Sequence, residues 1–134
     1  MDALLRAHPL ADTWSALEYA CHARDVFAVN RERLGHALVE ELYTPPPMRR
    51  EERVTEMRYN EQDPVAVGDD LAANATSFAT FVENLSDADL AREMRYGYPE
   101  LATRPLAWVV VHTVHEGEHH LLDVGRVLRA ARGR

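Results

Sequence analysis

The chain has 134 residues, enough for one domain around one core, and we expect a single domain over residues 1–134. A formal net charge of −7 disfavours binding to nucleic acid, no stretch approaches the roughly 20 apolar residues that span a bilayer, and six glycines and seven prolines are few for a turn-rich β protein. The single cysteine excludes an internal disulfide and, with a start that does not resemble a signal peptide, predicts a cytoplasmic protein.

The first long helix is predicted from Trp14 to about Leu42, a stretch rich in alanine and leucine that contains no proline. Either Asp12 or Thr13 would serve as its N-cap. The three consecutive prolines that follow end the helix, because proline lacks the amide donor and restricts the residue before it. Residues 48–62 are charged and show no clear apolar period, so we interpret them as a connector.

Two more long helices are predicted in the second half of the chain. Asp63 and Pro64 form a helix-start pair, a side-chain cap and a residue whose missing amide costs nothing in the first turn. Apolar residues then recur at spacings of three and four, as in one face of a helix: Leu71, Ala75, Phe78, Val82 and Leu85. Residues 86–89 resemble a capping arrangement before a short helix, YGYPE is typical of a loop, and the last helix is predicted from Pro105 to about Ala131.

Three long helices and one short one, joined by loops, predict an all-α fold of the up-and-down helical-bundle type. Residues 1–11 are too short for a fourth long helix, so the first helix of the bundle is expected to be short or missing. We therefore expect a second copy of the chain to cover the exposed flank, which makes the protein a homodimer.

Four of the seven histidines lie in one segment, HTVHEGEHH at 112–120, on the last predicted helix. On a helical wheel they form one stripe, and the aliphatic residues lie broadly opposite, which is typical of a solvated polar face: Val110, Val111, Val114, Leu121, Leu122, Val124 and Leu128. The alternative is a metal site. In that case His115 and His119 are the better pair, because residues four apart lie one turn above each other, and His112 is the competing ligand.

The candidate for a third ligand is His22, because metal sites in bundles draw further ligands from facing helices. An imidazole on an apolar helix face is more often a hydrogen-bonded core residue than a ligand, and the HxxxH pair on another helix gives the ligand interpretation more weight. Asp123, four residues after His119, is our candidate to orient an imidazole, with Glu18 as another, although a solvated charge is the plainer interpretation of a surface aspartate.

Three segments carry a resemblance to a known family: WSALEYACHARDVF at 14–27, RYNEQDP at 58–64 and HEGEHHLLDVGRVL at 115–128. They resemble a branch of the DinB-like superfamily, four-helix-bundle metalloproteins that include mycothiol-dependent maleylpyruvate isomerase and relatives of bacillithiol transferase. The resemblance implies a divalent metal, zinc or nickel, held by His22, His115 and His119 with water in the remaining positions. It also implies a low-molecular-weight thiol as cosubstrate.

The function predicted from these residues is that of a metal-dependent enzyme acting on a small molecule. An ion with an open coordination position would activate a bound water or thiol, which suits an S-transferase, an isomerase or a hydrolase. Two alternatives stay open. One is a metal-binding or sensing bundle without catalysis, and the other is a metal-free dimerisation module whose histidines are hydrated.

Overall fold

The fold is described by a computed structural model that covers residues 2–133. The two ends of the predicted domain, Met1 and Arg134, lie outside the described residues. Between Tyr59 and Glu61 the chain forms a short 3-10 turn. The remaining elements, in chain order, are α1 (Asp2–Arg6), α2 (Ala16–Ala37), α3 (Arg50–Glu56), α4 (Pro64–Glu83), α5 (Asp87–Ala91), β1 (Glu93–Tyr96), β2 (Ala102–Pro105) and α6 (Leu106–Ala131).

The predicted helical bundle is confirmed, with α2 packed against both α4 and α6. One part of the core lies where these helices meet the β1–β2 hairpin, and a second lies near the start of α2: Leu34, Phe78, Met94, Leu106 and Val109 in the first, Leu17, Cys21, Tyr59 and Val67 in the second. The antiparallel pairing of β1 with β2 was not predicted. Alternation along β1 buries Met94 and Tyr96 and so attaches the hairpin to the bundle.

The first long helix is shorter than predicted at both ends. Its N-cap is Ser15, and neither Asp12 nor Thr13 caps it, because Ser15 and Glu18 form a reciprocal capping box with N–H···O distances of 3.1 and 2.9 Å. The helix ends at Ala37 and not near Leu42. The carbonyl of Ala37 accepts a hydrogen bond from the Arg92 side chain at 2.9 Å, which satisfies one of the free acceptors at this helix end.

The predicted connector holds α2 in place through the RYNEQDP segment. Asp25 on α2 accepts hydrogen bonds from the buried Tyr59 hydroxyl, from Arg53 at 3.2 Å and from Arg24 at 2.8 Å. Asn60 accepts from the Ser15 hydroxyl at 2.6 Å. These buried and half-buried bonds explain why a segment without an apolar period still has one defined position.

The rotation of α6 about its axis differs from the prediction. Its buried side includes Thr113, Gly117, His120 and Asp123, whereas four of the aliphatic residues expected to face the core are exposed: Val111, Val114, Leu121 and Leu122. A Cβ added to Gly117 would lie 2.6 Å from the ring of Phe27 on α2. The missing side chain therefore lets α2 and α6 approach closely along the face that contains residue 117.

No helix within residues 2–133 is both long enough and apolar enough to cross a membrane.

We expect Gly117→Ala to be about 1–3 kcal/mol less stable than Gly125→Ala. Alanine raises helix propensity by roughly 1 kcal/mol at either position, but only at 117 does the new methyl overpack against Phe27. Gly125, on the same helix, has its nearest such contact at 3.4 Å, with the flexible end of Arg129, and serves as the matched control. Urea unfolding of the metal-free proteins measures the difference, and equal stabilities would show that the close approach of the two helices is not a constraint.

Candidate metal centre

One group of potential metal ligands converges within the described part of the chain, and it joins α2 to α6. His22 comes from α2, and Glu116 and His120 lie one turn apart on α6. One ligand atom from each lies within 4.8 Å of the others. The rings of His22 and His120 meet nearly perpendicular, with centroids 4.6 Å apart, and Nε2 of His120 lies 3.0 Å from Oε2 of Glu116.

His22 is the most deeply buried ligand candidate, with 2% of its surface exposed. Neither of its ring nitrogens has a hydrogen-bond partner within residues 2–133. Burial, reinforced by His120, lowers the pKa of His22 to about 3, so the ring is neutral at physiological pH. Leaving a buried polar atom unpartnered costs free energy, and a metal ion is a partner that a neutral imidazole can bind directly.

Glu116 supplies a carboxylate to the same group. The hydrogen bond with His120 lowers the pKa of Glu116 to about 2 and outweighs the burial of the carboxyl, which acts in the opposite direction. Two imidazoles and one carboxylate are a set that zinc takes in catalytic sites, where a fourth position stays open. The residues present therefore fit a divalent ion.

Asp123 contacts the group from outside, where it can orient the imidazole of His120. Its Oδ2 lies 3.2 Å from Nδ1 of His120 and 3.5 Å from Nε2 of the exposed His119. Its Oδ1 accepts a hydrogen bond from Arg126 at 2.9 Å. In the metal-free protein Nε2 of His120 donates to Glu116. An ion bound there would take the place of that proton, and the Asp123 carboxylate would hold the remaining proton on Nδ1.

His112, the predicted competing ligand, is committed to a different hydrogen-bond chain. Arg33 can only donate, so the side-chain oxygen of Asn30 faces it at 3.3 Å and the amide nitrogen donates to the Tyr96 hydroxyl at 3.1 Å. The Tyr96 proton is then directed to Nδ1 of His112, 3.0 Å away. This order places the His112 proton on Nε2, which is 3.5 Å from Oε1 of Glu116.

Stacking fixes the plane of the same His112 ring. Tyr98 stacks on it with centroids 4.4 Å apart, and Trp108 lies nearly parallel to it at 5.3 Å. Burial lowers the pKa of His112, so the ring is neutral. His112 therefore stands beside Glu116 as a rigid hydrogen-bond donor and lies outside the converging group.

The predicted set of His22, His115 and His119 is not brought together by the structure. Only His22 belongs to the converging group, whereas His115 is exposed and the side chain of His119 is 67% exposed. The helix rotation that buries Gly117 turns residues 116 and 120 toward α2 and the two histidines toward solvent. The candidate pair on α6 therefore moves by one residue, to Glu116 and His120.

Glu18 is also not at the metal group. Its carboxylate accepts from the backbone of Ser15 in the capping box and lies 2.6 Å from Nε2 of His8. Glu18 thus stabilises the start of α2, four residues before His22, and its geometry does not orient the His22 ring. A sequence signal for this role was present, since serine followed three residues later by glutamate is a capping-box pattern.

Cys21 next to His22 is a packed residue. Its thiol is fully buried and lies 3.7 Å from the carbonyl oxygen of Tyr59. Burial raises the pKa of Cys21 to about 11, which keeps it protonated and unreactive at physiological pH.

Comparison with known proteins gives a family and a fold. A family model described as the DinB superfamily matches residues 1–124. The structure is similar to that of YfiT from Bacillus subtilis, with a TM-score of 0.86 and 16% sequence identity over 96% of this chain and 73% of that one. YfiT is described as a probable metal-dependent hydrolase with an unusual four-helix bundle topology, and identity this low shows a shared fold alone. No curated protein matches the chain.

We expect the metal-free protein to lose stability as the pH falls from about 6.5 toward 3, partly through His22. Because the folded pKa of His22 is lowered, the unfolded chain binds this proton first, and stability declines through that window. Between pH 7 and pH 5 the contribution is about 2 kcal/mol. Urea unfolding in the presence of a chelator should show a smaller decline for His22→Gln than for the wild type.

The matched control for this measurement is His36→Gln, which removes a half-exposed histidine from the same helix. If His22→Gln and the wild type decline equally between pH 7 and pH 5, His22 is not the neutral buried ring described above.

Proposed function

The chain belongs to the DinB superfamily, as the sequence resemblance predicted, and from this premise we propose that it is a divalent-metal-dependent enzyme acting on a small molecule. His22, Glu116 and His120 hold the ion, and zinc or nickel is the proposed metal. The observation that carries this proposal is the convergence of the unpartnered His22 ring with a carboxylate and a second imidazole from the facing helix.

An enzyme is favoured over a closed metal sensor because a cavity of about 540 Å³ lies against the metal group. Its wall includes His22, Glu116 and His112, so a substrate in the cavity would lie beside two of the proposed ligands. A smaller cleft on the other side of Glu116 is lined by His120 and Asp123. Open space of this kind leaves room for a further ligand beside three protein donors.

The chemistry assigned to the site divides between the metal and the chain. When bound, a divalent ion lowers the pKa of a coordinated water or thiol and provides a nucleophile at neutral pH. His112 also lines the cavity, and its Nε2 is buried beside Glu116, 3.5 Å from Oε1. On the opposite side, Trp14 packs edge-on against His22 at 5.2 Å and Tyr19 stacks on His120 at 5.7 Å, which limits access of water to the two rings.

Two nucleophiles fit this proposal. The description of YfiT as a probable metal-dependent hydrolase supports water, and the sequence resemblance to thiol-dependent relatives supports a low-molecular-weight thiol in an S-transferase or isomerase. Cys21 is not the nucleophile, because its thiol is buried and protonated. The nucleophile therefore comes from outside the chain.

The proposal for partners is a homodimer with a small-molecule substrate in a cytoplasmic location, without nucleic acid or membrane. Support for the dimer comes from the exposed aliphatic stripe of α6: Val111, Val114, Leu121 and Leu122. The same stripe is the observation that favours a second candidate function, a metal-free dimerisation module. Absence of bound metal from the purified protein would select that alternative.

We expect one equivalent of zinc in protein prepared without an affinity tag. His22→Ala, Glu116→Gln and His120→Ala should each lower zinc affinity by more than the roughly 10–100-fold that changes outside the ligand set cause. His115→Ala and His119→Ala are matched controls on exposed positions of the same helix and should retain the wild-type affinity. Elemental analysis measures the zinc content, and competitive chelator titration measures the zinc affinity. Loss of affinity in the two control variants alone would support the ligand set predicted from the sequence.

We expect the cobalt-substituted protein to distinguish the two nucleophiles. Cobalt reports a coordinated thiolate through an added charge-transfer absorption, and 2-mercaptoethanol is a suitable probe. A new absorption that is lost in Glu116→Gln supports a thiol cosubstrate. An unchanged spectrum, together with metal-dependent ester or amide hydrolysis, supports water. If the protein shows neither the new absorption nor hydrolysis, it binds metal without this chemistry.

A further inference from the structure

The cavity beside the metal group carries a charge opposite to that of the whole chain. Four arginines line it, Arg33, Arg49, Arg50 and Arg95, and Glu116 is the one acidic residue in its wall. The chain as a whole has a formal net charge of −7. A low-dielectric cavity lined by one sign of charge concentrates ligands of the other sign.

Arg33 and Arg95 are not used to neutralise carboxylates of the described chain. Arg33 donates to the side-chain oxygen of Asn30 and, at 2.9 Å, to the carbonyl of Pro46, and Arg95 donates to the Thr103 hydroxyl at 3.0 Å. All three acceptors are neutral. A guanidinium has five donor hydrogens, so both side chains retain donors for a ligand.

Several other arginines near the site, in contrast, have acidic partners. Arg24 and Arg53 share Asp25, and Arg126 is bonded to Asp123. Arg49 lies 3.1 Å from Glu56 on the exposed side of α3. Burial lowers the pKa of Arg33, which reflects the free-energy cost of a half-buried cation without a counter-ion.

The rest of the wall is mainly apolar. Val26, Met48 and Leu101 contribute aliphatic surface, the three prolines at 45–47 form one side, and Tyr98 adds an aromatic ring. A cavity of this size accommodates a small organic molecule with an apolar body. Free phosphate would leave that surface without a partner.

We propose that the cavity binds an organic carboxylate, with the carboxylate held by Arg33 and Arg95 and the apolar body against the proline segment. The inference deepens the proposed function, on which it rests for the location of the reacting end at His22, Glu116 and His120. Arg33 lies on α2, about three turns after the ligand His22, and Arg95 lies on β1. They would thus hold the charged end while the metal group faces another part of the same molecule.

The test compares benzoate with its uncharged isostere benzamide, by calorimetric titration of the full chain after chelator treatment. Without metal, a preference for benzoate cannot come from coordination of the carboxylate by an ion. Benzoate should bind at least tenfold more tightly than benzamide. Arg33→Met should reduce benzoate binding by about tenfold to a hundredfold and leave benzamide unaffected, since hydrogen bonds to charged groups have effects of that order.

Arg31→Met is the matched control, because Arg31 is exposed on the same helix and packs over Phe81 away from the cavity. Arg95→Met is the second variant should Arg33→Met fail to fold. Equal binding of benzoate and benzamide, or benzoate binding unchanged in either arginine variant, overturns the inference. A separate zinc titration distinguishes the two proposals. Absence of zinc binding would contradict the metal site, whereas the preference of the metal-free protein for benzoate reports on the arginines alone.

Discussion

The close approach of α2 and α6 at Gly117 is the constraint on which the rest of the site depends. A helix can rotate about its axis without changing its sequence pattern, and packing against a neighbour decides which residues turn inward. Here Phe27 occupies the space that a side chain at position 117 would fill. That contact places residues 116 and 120 against His22. The rotation of α6 about its axis therefore decides which of its side chains face His22 as candidate ligands.

Unpartnered polar atoms are the second organising feature of the interior. Most buried polar groups near the site are hydrogen-bonded, including Asn30, which donates to Tyr96 and, at 2.8 Å, to Thr113. Within residues 2–133, Nε2 of His112 and Nε of Arg104 lack a partner, but at His22 both ring nitrogens do. Most buried polar groups in folded proteins are partnered, so a ring with two unpartnered nitrogens beside a carboxylate and a second imidazole indicates a functional group.

The sequence predicted the helices better than their rotation. The three long helices, the start at Asp63 and Pro64, and the capping pair at 86–89 depend on local chemistry and were confirmed. HEGEHH, however, contains two pairs at i and i+4, which begin at 115 and at 116, and only a contact between residues 27 and 117 distinguishes them. The hairpin was missed for the same reason, because two four-residue strands gain their stability from pairing and from burial of Met94 and Tyr96 in the bundle.

A shift of one residue also changes the charge of the site. Three neutral histidines would leave a divalent ion with its full charge, whereas Glu116 as a ligand would reduce the net charge of ion and ligands to +1. An ion held by these residues would lower the pKa of a bound water or thiol less than one held by three histidines. Arg33 and Arg95 still leave the adjacent cavity positive, so an anionic substrate can approach without repulsion from the metal group. Under the two proposals, Glu116 would moderate the charge at the metal group, and Arg33 and Arg95 would supply positive charge where the substrate is held.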